Sequence, residues 1–242
     1  MMQENKLEEL VKQGAGELGV TLNNSQIRLF SIYLKTLKIY NQEVHITGIK
    51  TSQEIIIKHF LDSLTCSLGF NPANGMKIID IGTGAGFPGL PLKICYPEIN
   101  LTLLDSSEKH IEFLYRLQSH LQLKFEILSG RAEDFGKNEE YRERYDLVLA
   151  RAVAKLNTLV ECALPFLKIG GVFISQKGLD IKDELIQTQK AIDILGGRLK
   201  EERRITLPIV HENKNLVIIE KIKSTPLNYP RRAGVPERKP LM

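Results

Sequence analysis

The chain has 242 residues, enough for one full hydrophobic core and a small appendage. With 43% hydrophobic and 26% charged residues it has the composition of a soluble globular protein, and a formal charge of +4 permits an anionic partner without requiring one. No apolar run approaches bilayer length, the start Met1-Met-Gln-Glu-Asn-Lys6 lacks a signal peptide's apolar core, and Cys66, Cys95 and Cys162 form no C-x-x-C pair. These features argue against a membrane span, a disulfide framework and a zinc finger, and make a cytoplasmic protein without metal the expectation.

Residues 1–75 read as a helical N-terminal region. Asn24-Ser25 is positioned to cap a helix carrying Ile27, Phe30, Leu34, Leu37 and Tyr40 at three- and four-residue spacing. Thr51-Ser-Gln-Glu54 has the form of a capping box, opening a helix through Ile55, Ile56, His59, Phe60 and Leu64. Asn71-Pro72-Ala-Asn-Gly75 breaks that pattern.

From Met76 short apolar runs alternate with helical stretches. The spacing predicts strands at Lys77–Asp80, Asn100–Asp105, Phe125–Leu128, Tyr145–Leu149 and Gly171–Ser175. Helices are expected at Pro88–Cys95, Ser107–Leu121, Asn157–Leu167 and Ile181–Leu195. Two closing strands, near Arg198–Leu207 and Asn215–Ile222, are joined by a link too short for a parallel crossover, so they form an antiparallel hairpin. The expectation is an α/β domain over 76–223: a mostly parallel, seven-stranded Rossmann-like sheet of the class I S-adenosylmethionine-dependent methyltransferase kind, with helices on both faces. Residues 224–242 form a basic, proline-rich tail whose prolines argue against a regular helix. Such a tail suits a phosphate backbone, and a solvated terminus is the plainer alternative.

In a sheet of this kind ligands sit at the carboxyl ends of the strands. The first strand ends in Asp80-Ile-Gly82-Thr83-Gly84-Ala-Gly86-Phe87-Pro88-Gly89, whose glycines let the backbone turn and approach a ligand. Gly84 to Gly89 also fits the dinucleotide fingerprint G-x-G-x-x-G, by itself a weak signal. Asp80, ahead of the glycines, would repel a pyrophosphate but suits the cationic methionine end of S-adenosylmethionine, directly or through water. Asp105 ends the second strand, where a carboxylate accepts from ribose hydroxyls in either cofactor. After the third strand, Gly130-Arg131-Ala132-Glu133-Asp134 offers an amide and a carboxylate to an adenine edge. After the fourth, Arg151-Ala-Val-Ala-Lys155 lacks the Pro-Pro-aromatic motif of amino-methyltransferases. Arg151 cannot serve as a base, so no catalytic residue is assigned; an acceptor with a free lone pair needs only orientation and exclusion of water. An NAD-dependent oxidoreductase and a non-catalytic RNA-binding module that keeps the nucleoside pocket are the competing readings.

The motifs Thr47-Gly-Ile, His59-Phe-Leu-Asp62-Ser, Asp80 to Pro91, Leu103-Leu-Asp105-Ser, Gly130-Arg-Ala-Glu133, Arg151-Ala-Val-Ala, Lys177-Gly178 and Tyr229-Pro-Arg-Arg-Ala-Gly together resemble the RsmG (GidB) family. These are bacterial methyltransferases acting on N7 of a guanine in 16S ribosomal RNA. The resemblance runs from about Asn41 to the tail, and departs where the family usually reads Asn-Leu-Thr and this chain has His45-Ile-Thr47. It implies cofactor contacts at Gly82, Phe87, Ala132, Glu133 and Arg151, with Asp105, Ser106 and Ser107 at the ribose. Together with the loop residues Asp80, Thr83, Gly84 and Gly86 these make up the expected S-adenosylmethionine site. The resemblance also implies RNA phosphate contacts for Arg131, Lys177, Arg231, Arg232 and Arg238 and 16S ribosomal RNA as partner; a monomer is the expectation, though the sequence does not fix the oligomeric state. His59 and Asp62, one helical turn apart, read as a structural pair, with an active-site pair as the alternative.

Overall fold

The computed structural model describes residues 2–151 and 154–241; Ala152 and Val153 of the Arg151-to-Lys155 stretch lie outside the described residues. The N-terminal stripe forms the helices its spacing requires. Helix α1 (Met2–Glu17) buries Val11 and Ala15, and α2 (Asn24–Val44) buries Ile27, Phe30, Leu34, Leu37 and Tyr40 together with Tyr33. The cap of α2 falls one residue earlier than expected, at Asn23. Its side chain accepts from Gln26 N–H at 3.0 Å, and the Gln26 side chain accepts from Asn23 N–H at 2.9 Å. Such a reciprocal cap contributes about 1 kcal/mol. At the other end His45 adopts the left-handed conformation with φ 53°, which asparagine and histidine tolerate better than most side chains.

Of the expected capping box one half forms, Glu54 N–H donating to Thr51 Oγ1; the Glu54 carboxylate accepts from the Thr51 hydroxyl at 2.7 Å. It opens α3 (Ser52–Ile55), but the segment is not one regular helix. It continues as a π-helical turn, Ile56–Leu61, then α4 (Asp62–Leu64) and a 3₁₀ turn, Thr65–Gly69.

The alternating part follows as β1 (Lys77–Ile81), α5 (Gly89–Cys95), β2 (Asn100–Asp105), α6 (Glu108–Leu121), β3 (Glu126–Ser129), α7 (Ala132–Phe135), β4 (Tyr145–Arg151), α8 (Leu156–Ala163), β5 (Leu167–Lys177), α9 (Lys182–Ile194), β6 (Gly197–Thr206), β7 (Asn213–Lys221) and α10 (Val235–Arg238). Helix α8 stops at Ala163, short of the expected Leu167. Pro165 lacks the N–H that an α-helix needs there, and Leu164–Phe166 form a 3₁₀ turn.

The seven strands lie in the order β3-β2-β1-β4-β5-β7-β6. The first five are parallel; β7 runs antiparallel to β5 and to β6, as the short link requires. Alternate residues of each strand face opposite cores. Ile78, Leu103, Leu149 and Ile218 join the core under α2, α5 and α6, which also contains the N-terminal helices. Ile79, Leu104, Val148 and Val217 join the core under α8 and α9. Strand order reverses between β1 and β4, which puts the crevice at their carboxyl ends.

The tail does not run free. Arg142 donates to the carbonyls of Thr225 and Tyr229, and Arg231 donates through N, Nε and Nη2 to the fully buried Glu161 carboxylate. The segment also forms one helical turn, α10, because Pro236 sits at its start where a proline costs no bond. Arg231→Ala removes the guanidinium and leaves the buried Glu161 carboxylate only the backbone N–H of residue 231. Thermal unfolding should show a loss of about 2–3 kcal/mol, or about 5–10 °C, which Glu161→Gln added to it partly restores. An unchanged melting temperature would contradict the clamp.

Candidate active site

After β1 the chain turns through Gly82, Gly84 and Gly86, all with positive φ, before entering α5. Gly86 is the tightest: φ is 96°, and a Cβ there would lie 2.7 Å from Tyr33 Oη, which itself donates to Ala85 O at 2.5 Å. Beneath the loop sits Asp80, wholly buried. Its Oδ2 accepts from Thr83 Oγ1 at 2.6 Å and from Gly89 N–H at 2.8 Å, while Oδ1 has no partner. Burial pushes its pKa up to about 7, against the pull of those two hydrogen bonds.

Asp105 holds the loop from the front. Gly84 N–H donates to its Oδ2 at 2.8 Å; Ser107 N–H and the His110 ring meet Oδ1 at 2.9 and 3.1 Å. Burial works to raise the Asp105 pKa, but these bonds outweigh it and hold the carboxyl below its usual range. Next to it opens a cavity of about 330 Å³ at the ends of β1 to β4. Gly82, Asp105, Ser106, Ala132, Glu133 and Arg151 line it. Six of the twelve residues expected at the cofactor thus form its wall. Asp80, Thr83, Gly84, Gly86, Phe87 and Ser107 are not among its lining residues.

The cavity also has lining that no local motif announces. Thr158, Leu159 and Cys162 come from α8, and Glu237 from α10. Glu133 Oε1 accepts from Gly234 N–H of the tail at 2.8 Å, and Arg131 pairs with the same oxygen at 3.3 Å. Burial opposes ionisation of Glu133, but the amide of Gly234 and the Arg131 cation keep its pKa low.

Arg151 forms the boundary on the far side. Nη1 donates to Asp62 Oδ2 at 2.9 Å and to Lys58 O at 3.1 Å, Nη2 meets His59 Nδ1 at 3.1 Å, and the guanidinium lies 5.1 Å from the Phe87 ring centre. Phe87 is stacked between His59 at 4.6 Å and Tyr33 at 5.2 Å. A guanidinium only donates, so His59 Nδ1 is the acceptor and the ring proton is on Nε2, which donates to Thr47 Oγ1 at 2.9 Å. Asp62 is buried and bound on its other oxygen by the Lys214 ammonium at 2.6 Å. His59 and Asp62 therefore belong to one bonded cluster with Arg151. Beyond Arg151 lies a second cavity of about 440 Å³, lined by Lys58, His59, Asp62, Gln176, Lys177 and Lys214 among others.

The basic residues expected at RNA divide in two. Lys177 is paired with Glu184 at 2.9 Å, and Arg231 with Glu161. Arg131 is about half exposed, and Arg232 and Arg238 are exposed. Among the described residues no group of three His, Cys, Asp or Glu side chains is placed to hold a metal, and no helix is long and apolar enough to cross a membrane.

Sheet order, terminal hairpin and strand-end cavity are those of the class I methyltransferase fold. The chain superposes on a putative class I S-adenosylmethionine-dependent methyltransferase from Listeria monocytogenes with a TM-score of 0.58 at 12% identity, covering 90% of this chain and 81% of that one. The AdoMet complex of M. jannaschii TYW2 gives a TM-score of 0.52 at 16% identity, over 67% and 77% of the two chains. The sequence then fixes the family: the model of GidB, rRNA small subunit methyltransferase G, matches residues 26–221, and the chain belongs to that family of methyltransferases. Ribosomal RNA small subunit methyltransferase G of Alkaliphilus metalliredigens is 45% identical over 96% of this chain and 98% of its own length. The protein of that name from Desulforamulus reducens is 44% identical over 98% and 99%.

Burial first, and then the Arg151 cation, push the His59 pKa down from 6.5 to about 3, with Asp62 opposing. The unfolded chain takes up this proton below about pH 6.5 and the folded chain does not. The stability His59 contributes is therefore complete above pH 6.5 and is lost as the pH falls toward 3. Nitrogen-15 NMR of the imidazole should show the neutral Nε2–H tautomer throughout pH 5 to 8. A titration midpoint near 6.5 would contradict this geometry.

Proposed function

We propose that the chain transfers a methyl group from S-adenosylmethionine to N7 of a guanine in 16S ribosomal RNA, acting as a cytoplasmic monomer. The cofactor supplies an electrophilic methyl on a sulfonium centre. In this reading Asp105 and Ser106 hold the ribose, and Ala132 and Glu133 hold the adenine. Gly82 lets the backbone approach, and Asp80 Oδ1, which lacks a partner, is left for the cationic amino-acid end through water. Arg131, Arg232 and Arg238 meet the RNA backbone, whereas Arg231 and Lys177 serve the fold through their carboxylate partners.

The observation that carries the choice of acceptor is the state of the two candidate bases beside Arg151. His59 has its lone pair on Nδ1 occupied by Arg151 and its proton committed to Thr47; Asp62 is bound by two cations. Neither is free to remove a proton. Guanine N7 carries a lone pair and no proton, so alignment and exclusion of water suffice.

Mapping N7-methylguanine in small-subunit RNA from cells with and without the protein tests this directly. One N7-methylated guanine should disappear with the gene and return with the wild-type chain, and return less efficiently when Arg232 and Arg238 are both changed to Ala. An unchanged N7-methylation map would overturn the proposal.

A further inference from the structure

The second cavity shares the Arg151 wall with the cofactor cavity and lies at the carboxyl ends of β4 and β5, so anything bound in it abuts the cofactor site. Its volume of about 440 Å³ is within the range of small-ligand sites, roughly 300–1,000 Å³. Of the lysines at its wall, Lys177 and Lys214 are bound to Glu184 and Asp62, and the half-exposed Lys58 suits a nucleotide's phosphate. Lys58 and His59 reach it from the π-helical turn, an element rare in general and frequent at functional sites.

Gln176 adds a sharper constraint. Its Nε2 donates to Asp62 O at 2.6 Å and to Thr65 Oγ1 at 2.9 Å. A carbonyl only accepts, and the Thr65 hydroxyl proton is already given to that same carbonyl at 2.6 Å. The amide therefore cannot be turned over. Its Oε1 is left as an acceptor without a partner, on a side chain only 6% exposed in the cavity wall. A buried acceptor left unsatisfied costs stability, which a ligand N–H recovers.

We propose that this cavity receives the acceptor guanine and that Gln176 Oε1 accepts a hydrogen bond from its exocyclic 2-amino group. The inference rests on the methyl transfer proposed above. With N7 turned toward Arg151 and the cofactor cavity, the 2-amino group is the part of guanine farthest from the reacting atom. Gln176 pairs with Arg151 across the β4–β5 ladder, one strand further from β1, where that amine arrives. Adenine also has an N7 but no 2-amino group, so it leaves Oε1 unpaired; a site built to hydrogen-bond a substrate group rejects the analogue that lacks it.

The test compares kcat/KM for small-subunit RNA carrying guanosine at the methylated position with the same RNA carrying inosine, which lacks only the 2-amino group. The wild-type chain should prefer guanosine by about tenfold or more. Gln176→Leu should bring the ratio close to one. A wild-type ratio near one, or a Gln176→Leu ratio equal to wild type, overturns the inference while leaving the methyl transfer intact. Where Gln176→Leu does not fold or turn over, the wild-type ratio decides, and a value near one overturns the inference. Wild-type protein that methylates neither RNA, in any assembly state of the subunit, sinks the methyl-transfer reading instead.

Discussion

A carboxylate buried beneath a glycine loop sets the geometry on which the site depends. Asp80 Oδ2 binds one residue inside the loop, Thr83, and one at the start of α5, Gly89, and so closes the turn on itself. The arrangement is costly, because a wholly buried carboxyl with one unpartnered oxygen resists ionisation. In return the backbone amide of Gly84 is presented to Asp105, which places the ends of β1 and β2 in fixed register around the cavity. Loop, Asp105 and cavity wall form one bonded unit.

Arg151 does for the other side what Asp80 does for the loop. Its donors bind Asp62, Lys58 and His59, all from the N-terminal helical segment, and its face covers Phe87 of the glycine loop. The N-terminal helices thereby become a structural part of the site. A desolvated cation with several partners is rigid, which suits a group that must separate two cavities and position their contents.

Much of this was legible in the sequence, for identifiable reasons. Strands such as Asn100–Asp105 and the antiparallel closing hairpin showed because apolar alternation and short links are local signals. The loop from Asp80 to Gly89 showed because positive φ demands glycine. The His59–Asp62 pair was visible as a spacing, but its partner Arg151 lies 89 residues from Asp62, and no periodicity records such a contact. The Glu161–Arg231 clamp and the Gly234–Glu133 bond, at separations of 70 and 101 residues, were invisible for the same reason. The π-helical turn left no trace either, since Ile56, Ile57, Phe60 and Leu61 suit a buried α-helix as well.

The cavity beside Asp105 takes a nucleoside carrying a cationic sulfonium, and not a dinucleotide. Isothermal titration of the purified chain with S-adenosylmethionine and, separately, with NAD compares the two most directly. One molar equivalent of S-adenosylmethionine should bind, with no heat from NAD beyond dilution. Binding of NAD without binding of S-adenosylmethionine would contradict the account.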